Sequence, residues 1–138
     1  MSDRMLNILL VEDDEVDVMN VRRAFERNNV SNPLYVAGNG LQALEMLRDG
    51  TVPTERRLIL LDLNMPKMNG IEFLQALRAD PELASAPVVV LTTSNDDQDK
   101  IDAYNLNVAG YLLKPVTFSN FCERMTALNK YWTLVEMP

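Results

Sequence analysis

Five short apolar runs recur at even intervals along the chain: LNILLV (6–11), LYVA (34–37), LILL (58–61), VVVL (88–91) and GYLL (110–113). They are continuous, where a sheet open to water on one face would alternate, so each reads as a strand covered on both faces. Amphipathic segments of helical length stand between them. Val18, Val21 and Phe25 recur at threes and fours in 15–28, as do Leu41, Leu44 and Leu47 in 40–49 and Ile71, Leu74 and Leu77 in 70–79. Segment 96–106 is the most polar, with Ile101 and Tyr104 on one side, and 118–132 carries Phe118, Phe121, Met125 and Leu128. This alternation predicts an α/β fold: a doubly wound five-stranded parallel sheet with five helices, in the flavodoxin-like order 2-1-3-4-5. Right-handed crossovers then bring all the strand C-termini to one edge, where such sheets bind their ligands.

At 138 residues the chain is expected to be one domain, with its core over 6–128 and a helix end and tail over 129–138. A domain of this size buries roughly two-thirds of the surface its unfolded chain exposes. The net charge of −7 speaks against nucleic acid and anionic membranes as partners, because both want clustered Lys and Arg. It suits cations or basic protein surfaces. No apolar run nears the roughly 20 residues of a membrane span. The start, MSDRMLNILLVEDD, lacks the pattern of a signal peptide. A single cysteine, Cys122, permits no internal disulfide, and the expected compartment is the reducing cytoplasm. The absence of histidine removes Ser-His-Asp and Cys-His catalysis and His-ligated zinc. What remains is carboxylate, hydroxyl and amine chemistry.

The polar residues at the predicted strand ends are Glu12-Asp13-Asp14, Asp62, Thr92-Thr93-Ser94 and Lys114-Pro115. A lone carboxylate at the edge of a core, as in LLDLNMP (60–66), is costly unless something pairs with it. The topology would bring the other three ends to it. Clustered carboxylates suit a hard divalent cation such as Mg²⁺. A carboxylate can also accept a phosphoryl group as a nucleophile. Lys114 would supply a point charge to a phosphoryl oxygen and Thr92 a hydroxyl donor. Asp14 is expected to act only at the N-terminus of the following helix. Two further patterns point elsewhere and are set aside. GNGLQA (38–43) fits a dinucleotide fingerprint but follows the second strand in a chain too short for both halves of that fold. NDDQDKIDAYNL (95–106) has Lys100 and Leu106 where a calcium loop requires Gly and Glu, and reads as a capped polar helix.

Taken together, Glu12-Asp13, Asp62-Leu63-Asn64-Met65-Pro66 with Gly70, Thr92-Thr93 and Lys114-Pro115 resemble the response-regulator receiver domain of two-component signalling, from about Leu6 to Leu128. The resemblance implies that Asp62 is the phosphoacceptor. It implies that Glu12, Asp13, Asp62 and the backbone carbonyl of Asn64 hold Mg²⁺ or Mn²⁺, and that Thr92 and Lys114 contact the phosphoryl group. Tyr111 would be the switch aromatic and the Lys114-Pro115 bond would be cis. VVVLTTS, GYLLKP and the tail from Tyr131-Trp132 to Pro138 are similar to the single-domain regulators of bacterial phytochrome histidine kinases. The implied function is a stand-alone regulator. A sensor histidine kinase donates the phosphoryl group, and a downstream protein reads the surface around Tyr111 and 96–106. It would be no enzyme beyond its own phosphotransfer and dephosphorylation. An aspartyl-phosphate phosphatase would want a second acid where Asn64 stands. The alternatives left open are a phosphorylation-independent interaction module and an intermediate phosphorelay carrier. Tyr131, Trp132 and Leu134 in the tail either fold back on the domain or form a homodimer contact.

Overall fold

The computed structural model describes residues 7–27, 31–65, 68–114 and 127. Five strands form one parallel sheet: β1 (Asn7–Val11), β2 (Leu34–Ala37), β3 (Arg57–Leu61), β4 (Val88–Thr92) and β5 (Gly110–Leu113). Their order across the sheet is β2-β1-β3-β4-β5, as the sequence predicts. Four helices lie between them: α1 (Glu15–Arg27), α2 (Gly40–Arg48), α3 (Gly70–Ala79) and α4 (Asp97–Asn105). The expected fifth helix over 118–132, Cys122, the Lys114-Pro115 bond and the tail residues Tyr131, Trp132 and Leu134 lie outside the described residues. Among the described residues no helix is long and apolar enough to cross a membrane.

The continuity of the apolar runs has a direct cause. Successive strand residues point to opposite faces, and both faces are packed. Ile8, Leu10, Leu58, Leu60, Val89 and Leu91 meet Val21, Ala24 and Phe25 of α1. Leu9, Val11, Ile59, Leu61, Val88 and Val90 share the opposite layer with Ala43, Leu44 and Leu47 of α2 and Phe73, Leu74 and Leu77 of α3. The three central strands β1, β3 and β4 are buried almost throughout, whereas β2 and β5 at the sheet's edges are largely half-buried.

The helix starts follow local chemistry. Asp14 accepts hydrogen bonds from the N–H groups of Val16 and Asp17, which is the capping role expected of it. Asn39 caps α2 through the N–H of Gln42, so the GNG segment serves a helix start. Asn69 and Glu72 form a reciprocal capping box on α3. Asp96 caps α4 through Gln98 and Asp99, in line with the capped-helix reading of 95–106.

Two apolar stripes differ from expectation. Ile101 and Tyr104 are each 53% exposed, and α4 meets the core through Ala103 instead. Residue 103 lies on a different side of the helix from 101 and 104, so the small residue seats α4 and the large ones face water. Leu41 is likewise exposed, because Ala43 takes the inward place beside Leu44 and Leu47.

Candidate functional site

The sheet register brings the polar strand ends together. Val11 pairs with Leu61, Leu61 with Val90, and Thr92 with Leu113. The ladder then runs one residue past several strands. Glu12 donates its N–H to Ala37 O (2.9 Å), Asp62 donates to Val11 O (3.1 Å) and Lys114 donates to Thr92 O (2.8 Å). Backbone pairing thus fixes the Cα positions of three charged residues at one edge of the sheet. Gly70 fixes the loop after Asp62. A Cβ there would come within 2.6 Å of Leu63 Cα and 2.7 Å of the Asp62 carbonyl oxygen, so only glycine lets α3 start against this backbone.

Asp62 is buried at 6% exposure, and its carboxylate is engaged on both sides. Oδ1 accepts from the Thr92 hydroxyl at 2.7 Å and lies 3.3 Å from the Asn64 N–H. Oδ2 lies 3.7 Å from the Lys114 ammonium, an ion-pair distance beyond hydrogen-bond reach. Lys114 donates instead to Glu12 Oε1 and, at 2.6 Å, to Asp17 Oδ2. The other oxygen of Glu12 accepts from the Asp14 N–H at 3.1 Å. Asp13 is exposed, and so is Asn64.

Glu12, Asp13 and Asp62 each offer a carboxylate oxygen within 4.8 Å of the others. That is a donor set for a hard cation. All the donors are oxygen, the charge is in excess, and the exposed Asp13 leaves an open side. The residues therefore fit a divalent ion of the Mg²⁺ or Mn²⁺ type.

The charges press on one another. Burial is the largest influence on Glu12 and pushes its carboxyl up to about 7 from the ordinary 4.5, against the hydrogen bond and charge of Lys114, while the charge of Asp62 adds to the rise. For Lys114, burial is again the largest single influence and works to lower its pKa. Hydrogen bonds to Asp17 and Glu12, with the charges of Glu12 and Asp62, outweigh it, and the ammonium is held above its ordinary range.

The Glu12 shift has a definite sign for stability. A carboxyl raised on folding binds more protons folded than unfolded, so its contribution is complete below about pH 4.5 and is lost as pH rises through about 7. In metal-free buffer, the wild type is expected to lose melting temperature relative to Glu12→Gln across that window. Added Mg²⁺ should recover the loss in the wild type alone. Parallel melting curves of the two proteins from pH 4 to 8 would refute this assignment.

A second network leads away from Asp62. The Ser94 N–H lies 3.3 Å from Thr92 Oγ1, and the Ser94 carbonyl accepts from the Tyr111 hydroxyl at 2.9 Å. The Ser94 side chain donates to Asp99 of α4 at 2.7 Å. Burial raises the Tyr111 pKa, so the hydroxyl stays a donor. The sequence placed Thr92 and Tyr111 near the site without showing that Ser94 joins them.

Residues 8–126 match the response regulator receiver domain family. The chain belongs to this family. Among similar proteins, the probable methanogenesis regulatory protein FilR2 of Methanothrix harundinacea is 39% identical over 127 residues, 91% of this chain and 82% of FilR2. The response regulator Rcp1 of Synechocystis sp. is 36% identical over 128 residues, 91% of this chain and 87% of Rcp1. The crystal structure of Rcp1 in its Mn²⁺-bound form superposes with a TM-score of 0.82 at 35% identity, over 96% of this chain and 99% of that one. The phosphorylated cyanobacterial phytochrome response regulator RcpA superposes with a TM-score of 0.87 at 31% identity, over 97% of this chain and 99% of RcpA. This receiver domain is thus related to phytochrome response regulators, and receiver domains bind divalent metal.

The receiver-domain resemblance pointed to Glu12, Asp13, Asp62, Thr92 and Lys114, and the structure brings all five together. It did not point to Asp17. The available signal was its position in the first turn of α1, four residues after Asp13 and close in sequence to the acidic end of β1.

Proposed function

We propose that this chain is one receiver domain over residues 1–138, acting as a stand-alone response regulator. A sensor histidine kinase of the phytochrome class donates a phosphoryl group to Asp62, and the product signals through a protein contact. The observation that carries this is the set around one buried carboxylate: a hydroxyl at 2.7 Å, an ammonium at 3.7 Å and two further acids close enough to share a cation.

An oxygen of Asp62 attacks the phosphorus of the phosphohistidine. The new O–P bond forms as the P–N bond breaks, and the imidazole nitrogen leaves with the electron pair. Glu12, Asp13, Asp62 and the Asn64 carbonyl would hold Mg²⁺, whose charge offsets that on the phosphoryl oxygens. Lys114 supplies a second positive charge, and the Thr92 hydroxyl turns its donor from Asp62 to a phosphoryl oxygen. That turn loosens the Thr92–Ser94–Tyr111 chain of hydrogen bonds, so Tyr111 and α4 respond. Exposed Ile101 and Tyr104 on α4 give the downstream protein an apolar contact. The net charge of −7 favours a basic protein surface as partner over nucleic acid or an anionic membrane.

The partner assignment is tested by transfer of radiolabel. An autophosphorylated phytochrome kinase should pass its label to the wild type within seconds, and to Asp62→Asn not at all. Label that reaches the chain equally fast from unrelated histidine kinases would remove the phytochrome pairing.

A further inference from the structure

Lys114 has three N–H donors and a choice of acids. Two donors are committed, one to Glu12 and one to Asp17, while Asp62 stays at 3.7 Å. An ammonium bonded to Glu12 stands in the way of a cation that needs the same carboxylate. Like charges repel strongly where both are shielded from water, and the Lys114 side chain is only 10% exposed. For the cation to bind, Lys114 must give up Glu12 and keep another partner.

Asp17 meets that need. It is not one of the three acids whose oxygens close on one another. It sits on α1, and its side chain is 31% exposed against 2% for Glu12, so its charge costs little to maintain. Its backbone is tied into the α1 cap through Asp14. A general place in the first turn of a helix would explain an acid at this position through the dipole alone. It would not explain why that acid reaches across to the residue after β5.

We propose that Asp17 is a positioning residue: it holds the Lys114 ammonium on the α1 side of the site, so that Glu12 and Asp62 are free to take the divalent cation. The inference rests on reading Glu12, Asp13 and Asp62 as the cation site. Asp17 touches neither the cation nor the phosphoryl group and acts only through Lys114. Without it, the ammonium settles on Glu12 and Asp62 and competes with the metal.

The test is a thermodynamic cycle on the full chain, with Mg²⁺ affinity read by calorimetry in the absence of any phosphoryl donor. Asp17→Asn is expected to weaken Mg²⁺ binding roughly three- to tenfold, in the lower part of the coupling range for residues in one network. Asp17→Glu should restore most of the loss. In a Lys114→Met background, or Lys114→Gln should that fold better, Asp17→Asn should have no effect. An equal weakening with and without Lys114 would mean that Asp17 contributes only its negative charge, and would overturn the proposal. So would an unchanged affinity in the single variant, with the cation reading left standing. A wild type that binds no Mg²⁺ would remove the proposal and the cation reading together.

Discussion

Lys114→Met is expected to slow phosphoryl transfer onto Asp62 by roughly 10²- to 10³-fold at saturating Mg²⁺, the usual effect of removing one preorganised donor from a developing charge. The side chain is 10% exposed and surrounded by acids, so its charge acts in a medium that screens poorly. Its ammonium lies within ion-pair distance of the Asp62 carboxylate, at 3.7 Å. Methionine keeps the volume and loses the charge. It also leaves Glu12 without its ammonium, which should raise that carboxyl further and weaken metal binding. Single-turnover rates from a small phosphoryl donor, followed by intact mass over a range of Mg²⁺, separate the two effects. A maximal rate within tenfold of wild type would show that Lys114 serves structure alone.

Arg78→Ala is expected to cost about 3 kcal/mol of stability, because it strips four carbonyls of a charged donor. The guanidinium of this α3 residue donates to Leu106 O (2.8 Å), Ala84 O (2.9 Å), Ala86 O (2.7 Å) and Asn107 O (3.0 Å). It thereby ties α3 to the segment before β4 and to the connection between α4 and β5. These carbonyls lie near the N-terminal ends of β4 and β5, one strand length or roughly 15 Å from the phosphoacceptor end. The folded variant should therefore accept phosphate at the wild-type rate. Urea denaturation reads the first effect and mass the second. A loss below about 1 kcal/mol would mean that water replaces the guanidinium without penalty.

These two residues mark the difference between what the sequence discloses and what it hides. Lys114 is legible because it ends an apolar run, and parallel topology sends every such end to one edge. The same logic finds Glu12, Asp62 and Thr92. Arg78 is not legible. An arginine on a helix reads as solvent-facing, and the carbonyls that hold it have no signature of their own. Arg57 is hidden in the same way: it begins a strand yet is buried, donating to Leu47, Val52 and Pro53. Asp17 is hidden because an acid in a first helical turn already has a sufficient local reason to be there. Ile101 and Tyr104 show the converse failure. Helical spacing of apolar residues locates a stripe, but it does not say whether the stripe faces the core or a partner.

The central claim is that Asp62 accepts a phosphoryl group with the help of a divalent cation. Intact mass after incubation with acetyl phosphate and Mg²⁺ tests it most directly, for wild type and for Asp62→Asn. The account predicts a gain of one phosphoryl group in the wild type, absent from the variant and abolished by a chelator. A gain that persists in Asp62→Asn, or one indifferent to the chelator, would contradict it.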